Sequence, residues 1–135
     1  MQKVSTFLMF SGDMCGKAKE AIELYTSLIA DSEIKSIEYF EADEGGGNEG
    51  DVKHAVFTLG GQEYLAFDSA MGHKFSFTPS ISIYVSCETE EELDNLFTSL
   101  SEGGAVMMPP DSYGFSNKFA WIADKYGVSW QLNFG

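Results

Sequence analysis

The 135-residue chain contains an internal repeat, and this repeat limits its fold more than any other feature. Leu24-Tyr25-Thr26-Ser27-Leu28 matches Leu96-Phe97-Thr98-Ser99-Leu100 at a shift of 72 residues. Phe7-Leu8-Met9-Phe10 holds the same place in the first half as Ile81-Ser82-Ile83-Tyr84 in the second. Gly61-Gln62-Glu63-Tyr64 parallels Gly127-Val128-Ser129-Trp130 at a shift of 66. The shift changes because the connecting loops differ in length.

Both halves predict the same order of elements. In the first half, apolar, β-rich Val4–Phe10 reads as a strand ending at Ser11-Gly12-Asp13. Ala18, Ala21, Ile22, Tyr25, Leu28 and Ile29 recur at steps of three and four, which puts one apolar stripe on a helix over Lys17–Ile29. Glu33–Phe40, Val52–Leu59 and Glu63–Asp68 read as strands, the last two joined by the hairpin signal Gly60-Gly61. In the second half, Ser80–Ser86 reads as a strand. Thr89-Glu90-Glu91-Glu92 then fits a capping box, with Thr89 as N-cap of a helix that Gly103-Gly104 stops. Ala105–Met108 begins another strand, Pro109–Asn117 is expected as a loop, and Lys118–Asp124 and Val128–Phe134 follow as strands. The expectation is an α+β fold of two tandem βαβββ modules, residues 1–70 and 78–135, joined by linker 71–77. Neither half can bury its sheet face alone, so two curved mixed sheets should form around a cleft.

Charge excludes whole classes of partner. Eight Lys+Arg stand against 21 Asp+Glu, a formal net charge of −13, with a sequence pI of about 4.3. Such a chain has no electrostatic grip on nucleic acid, and an anionic membrane surface repels it. Yet 44% of residues are hydrophobic and 14% aromatic, as a packed core requires. Most acids fall in Glu38–Asp51 and Glu88–Asp94, a loop region and a helix start, so the acidity describes a solvated exterior. No stretch approaches the roughly 18 apolar residues of a membrane span. The segment at the N-terminus reads as a first strand rather than a signal peptide, so a cytoplasmic protein is expected. The two cysteines, Cys15 and Cys87, form neither a disulfide framework nor a zinc site.

Five stretches together resemble the vicinal-oxygen-chelate superfamily of glyoxalases, bleomycin-resistance proteins and dioxygenases, and within it the PhnB-like branch. They are Thr6–Phe10, Ala18–Tyr25, Phe57–Glu63, Lys74–Ser82 and Asp124–Leu132. Members of that branch often carry the label 3-demethylubiquinone-9 3-methyltransferase. The resemblance implies the two-module fold and a homodimer, but not a reaction, because one scaffold hosts many chemistries. It also implies where a divalent metal would be held. Gln131 stands at the position of the last-strand acid, Thr6 near the first-strand His, Ser80 or Ser82 near the second-module His, and Leu65 near the remaining ligand. None of these is His, Asp or Glu, so no metal is expected at the usual ligand positions.

The remaining candidates are few. The chain has two histidines, His54 on a strand and His73 in the linker. Each reads first as an ordinary side chain. If functional, imidazole suits acid–base work or contact with an anion near neutral pH. The run Gly45–Gly50 fails as a phosphate loop, because it leads into a strand and is flanked by acids. No Gly-rich turn with a following ribose-binding acid is visible, so S-adenosylmethionine is not expected as a cofactor. Apolar walls with a few polar groups describe a small-molecule pocket, and the expected lining is Thr6, His54, Tyr64, His73, Ser80, Trp121 and Gln131. The leading reading is a small-molecule-binding protein. The alternative is a metal-dependent enzyme using a shifted set such as His54, His73, Glu63 and Gln131.

Overall fold

The computed structural model describes residues 1–135 and divides them into two compact units, Met1–Ser76 and Phe77–Gly135. The first unit runs β1 (Thr6–Phe10), α1 (Ala18–Leu28), β2 (Glu33–Tyr39), β3 (Val52–Leu59) and β4 (Gln62–Asp68). The second runs β5 (Ser82–Cys87), α2 (Glu90–Ser101), β6 (Ala105–Asp111), β7 (Lys118–Ala123) and β8 (Ser129–Phe134). Their sheets have the orders β1-β4-β3-β2 and β5-β8-β7-β6. In each the first strand is parallel to the last, and the other pairs are antiparallel. The repeat in the letters is thus a repeat of βαβββ topology: two open mixed sheets, each with one helix.

Local chemistry sets the boundaries. Gly60 and Gly61 both have positive φ (58° and 80°), the backbone of a two-residue turn that lets β3 fold directly onto β4. Thr89 Oγ1 accepts from the Glu92 N–H at 3.1 Å and starts α2 as an N-cap. Gly104 is required by crowding, since a Cβ there would sit 2.1 Å from the Ala123 carbonyl oxygen. One expectation fails. The strand beginning at Ala105 runs on through Pro109 and Pro110 to Asp111 instead of giving way to a loop. It can do so because β6 is an edge strand, where proline is tolerated. The ladder to β7 is broken between Met108 and Asp111, as expected where backbone donors are missing.

Each helix seals one face of its sheet. Along β1, β3 and β4, Phe10, Ala55, Phe57 and Ala66 are fully buried and share a face. That face packs against α1, which offers Ala18, Ala21, Ile22 and Tyr25. In the second unit Ala120, Ile122, Trp130 and Leu132 do the same against Leu93, Leu96 and Leu100 of α2. Lys118 adds ion pairs to Glu90 (3.0 Å) and Asp94 (2.6 Å), tying β7 to the first turns of α2.

Two buried carboxylates organise the connections. Asp68 is 1% exposed and ends β4 on the helix side. Its Oδ1 accepts from the Gly16 and Ala18 N–H groups (2.8 and 3.1 Å), and its Oδ2 from the Val52 N–H (2.9 Å). Burial pushes this carboxyl above its ordinary value, while the three N–H bonds pull the other way. In the second unit Asp124 Oδ1 accepts from the Tyr126 and Val128 N–H groups (2.9 and 3.0 Å). Its Oδ2 takes the Trp130 indole N–H at 2.9 Å. Replacing Asp68 by alanine leaves three backbone donors without acceptors. Asp68→Ala should therefore lower stability by about 2–4 kcal/mol, read as a lower urea midpoint. An unchanged midpoint would show that water takes over these donors.

Candidate functional site

The face of each sheet turned away from its helix is where side chains are free to meet a ligand. Strand alternation assigns them. In the first unit this face carries Phe7 and Met9 of β1, Leu65 and Phe67 of β4, and His54 and Val56 of β3. Phe7 is 53% exposed, and its ring lies 5.2 Å from Phe67 and 6.1 Å from the His54 imidazole, edge-on to it. The result is an accessible aromatic patch with one imidazole at its side.

The second unit presents a different surface. Ser82, Tyr84, Ser129, Gln131 and Trp121 lie on the helix-free face, placed by the registers Ser82↔Ser129, Tyr84↔Gln131 and Trp121↔Gln131. Four of them form one hydrogen-bonded chain. The Trp121 indole N–H donates to Ser129 Oγ at 2.8 Å, the hydroxyls of Ser129 and Ser82 are 2.7 Å apart, and Gln131 Nε2 donates to Ser82 Oγ at 3.3 Å. Tyr84 stands beside Gln131 and is 56% exposed. Every polar group of this chain is neutral.

The seven residues expected from sequence fall into five places. His54 is on the helix-free face of the first sheet, and Trp121 and Gln131 are together on that of the second. Thr6 and Tyr64 pair with each other on the opposite, helix-side face of the first sheet. Tyr64 stacks on Phe57 with ring centroids 5.5 Å apart, and burial raises its phenol above the ordinary value. His73 stacks on Phe75 at 4.8 Å and bonds the buried Ser69 hydroxyl at 3.1 Å through Nε2. Ser80 precedes β5 and bonds Thr78 at 2.6 Å, away from the serine chain that Ser82 joins. Sequence reading did not single out Phe7, Tyr84 or Ser129, which the structure places on these faces. Their signal was two-residue spacing from Met9, Ser82 and Gln131, which becomes useful only once the covered face is known.

The donor set does not fit the divalent metal that the sequence resemblance implies. Within neither unit do three His, Cys, Asp or Glu side chains converge. Of the shifted set, His73 is bonded to Ser69, and Glu63 is bound by Lys3 (2.8 Å) and Ser5 (2.6 Å), which hold its carboxyl below the ordinary value. Gln131 directs its amide N–H to Ser82. Nor does the Gly45–Gly50 run open a helix, since it connects β2 to β3. It is closed over the Phe40 ring, where a Cβ on Gly47 would come within 2.1 Å. Both thiols are raised above their ordinary value. Burial, then Asp51, pushes the Cys15 thiol up to about 11, and burial, then Glu92, pushes Cys87 up to about 11. No helix is long and apolar enough to cross a membrane.

Comparison with known proteins gives this geometry a lineage. The family profile described as 3-demethylubiquinone-9 3-methyltransferase matches residues 2–133. The chain is 54% identical to a PhnB protein from Bacillus cereus, covering 99% of this chain and 100% of that one with a TM-score of 0.92. A protein from Pseudomonas aeruginosa shares the fold at 23% identity and a TM-score of 0.82, covering 99% and 98% of the two chains. So does a glyoxylase/bleomycin resistance protein/dioxygenase domain from Frankia, at 17% identity and a TM-score of 0.63, covering 100% and 98%. No curated protein matches the sequence.

The raised thiols carry a direct test. At pH 8 the native protein should react with iodoacetamide about 100-fold more slowly than free cysteine, whose thiol ionises near 8.5. The rate should keep climbing until about pH 11. Rapid alkylation of Cys15 at pH 8, mapped by mass spectrometry, would contradict the burial assigned to it.

Proposed function

This chain belongs to the 3-demethylubiquinone-9 3-methyltransferase family, PhnB-like proteins of the vicinal-oxygen-chelate superfamily, and we propose that it is a small-molecule-binding protein of glyoxalase-like type. The ligand rests on a helix-free sheet face. The observation that carries this reading is the pairing on such faces of accessible aromatics with uncharged polar groups. Phe7 and Tyr84 are more than half exposed, and beside them stand His54, Trp121 and Gln131. Such surfaces favour an apolar body with a few oriented hydrogen bonds. The protein acts without a resident metal in this reading, because no three His, Cys, Asp or Glu side chains come together to hold one. It acts without S-adenosylmethionine as well, and the methyltransferase in the family description is a label it does not follow.

Dimerisation in the cytoplasm completes the reading. Both sheets end in strands with one unpaired edge, and β1 and β5 are regular enough to be covered by a second copy. The homodimer of this 14.8 kDa chain should appear in light scattering at twice the chain mass. A monomer at working concentration would count against it.

Binding itself is tested by nuclear magnetic resonance of the 15N-labelled protein with a set of neutral aromatic fragments. Resonances of Phe7, His54, Trp121 and Gln131 should shift, while those of α1 and α2 stay in place. Shifts confined to the helices would refute the reading. S-adenosylmethionine added to the same sample should leave the spectrum unchanged, and saturable shifts at micromolar concentration would restore the methyltransferase.

A further inference from the structure

The serine chain on the second sheet has one more proton than its own bonds use. A serine hydroxyl has one proton to donate and two lone pairs to accept with. Ser82 and Ser129 therefore hold two hydroxyl protons, and only one lies between them. The remaining proton belongs to whichever serine does not donate to the other.

Burial decides which serine that is. Ser129 is 1% exposed, and its hydroxyl has two neighbours, Trp121 and Ser82. If Ser82 donated to Ser129, both lone pairs of Ser129 would be filled, and its own proton would be buried without an acceptor. An unmade hydrogen bond of that kind costs about 1–3 kcal/mol. In the opposite arrangement Ser129 accepts from Trp121 and donates to Ser82. Ser82 then accepts from Ser129 and from Gln131 Nε2, and its own proton is left for a partner outside this chain. Ser82 is only half-buried, so this proton can be met by something outside the fold. The chain Trp121→Ser129→Ser82 is a one-way relay of donors, strengthened by mutual polarisation.

The geometry points to Ser82 as the specificity-determining donor of the proposed binding face, directed at an acceptor oxygen on an uncharged carbonyl compound. This deepens the small-molecule reading above and rests on it. Charge rules out an anion as the preferred ligand. The helix-free face of the second sheet carries no lysine, the sequence has no arginine, and Lys118 is engaged with Glu90 and Asp94. A carboxylate or phosphate would meet no countercharge there. Tyr84 and Trp121 supply flat apolar surface beside the hydroxyl, which suits a conjugated or aromatic carbonyl. Trp121, Ser129 and Gln131 are positioning residues, acting through Ser82.

Acetophenone and ethylbenzene provide the test, since they share a shape and differ in the carbonyl oxygen. The two tryptophan indole N–H signals serve as internal reporters. Trp121 belongs to the relay, whereas Trp130 is fully buried against Asp124. Acetophenone should shift the Trp121 signal and leave Trp130 in place, with affinity about tenfold above ethylbenzene, the worth of one hydrogen bond. Ser82→Ala should bring acetophenone down to the ethylbenzene level, and Ser82→Thr, which keeps the hydroxyl, should restore the preference. An unchanged Trp130 signal confirms that each variant is folded. Equal affinity for the two probes on this face, or a preference that survives Ser82→Ala, would overturn the carbonyl donor and leave the binding face standing. No shift of any resonance on the helix-free faces by either probe would overturn both.

Discussion

The Asp68 carboxylate is the interaction on which the first unit depends. Three backbone segments distant in sequence converge on it: the turn at Gly16, the first residue of α1 and the first residue of β3. These are places where chain leaves or enters regular structure and its N–H groups lack partners. One anion at the end of β4 supplies all three. It thereby fixes where α1 lies on the sheet, and α1 decides which face is closed. Asp124 does related work in the second unit on a smaller scale, closing the turn from β7 to β8 and fixing the buried Trp130. The two acids are not equivalent by the repeat. Duplication of the topology left each copy to find its own anchor.

Closing one face defines the other. Once Ala55, Phe57 and Ala66 are beneath α1, alternation leaves His54, Val56 and Leu65 on the far side. The same logic turns Trp121, Ser129 and Gln131 away from α2. The sheets are alike in topology and unlike in surface. The first offers aromatic rings and an imidazole, and the second a chain of neutral hydrogen bonds. Substitution at the surface positions of either face leaves the helix-side cores undisturbed.

Much of this was legible in the sequence. The order of elements followed from period and punctuation, since Gly60-Gly61 needs left-handed backbone and Thr89 needs a helix to cap. The candidate site was legible only in part, for a physical reason. Alternation tells which residues share a face but not which face a helix will cover. Thr6, His54 and Tyr64 were therefore candidates together, although the structure puts His54 on one side and the other two on the other. Ser80 missed the serine chain by two residues, because the start of β5 is set by pairing with β8 and not by local propensity. His73 was visible as a histidine, but its stacking on Phe75 depends on the path of a segment that has no period to read.

The prolines of β6 have a consequence for how the molecule keeps company. Consecutive residues of a strand aim their amide nitrogens in opposite directions, so Pro109 and Pro110 remove one donor toward β7 and one toward solvent. The outer edge of the second sheet is thus a poor template for another strand. β2, at the far edge of the first sheet, is irregular as well, with breaks in its register to β3. Each sheet is left with one regular edge, at β1 and at β5. Strand addition is therefore disfavoured at two of the four sheet edges. In a concentrated solution, each edge blunted in this way is one fewer template on which a fibre could grow.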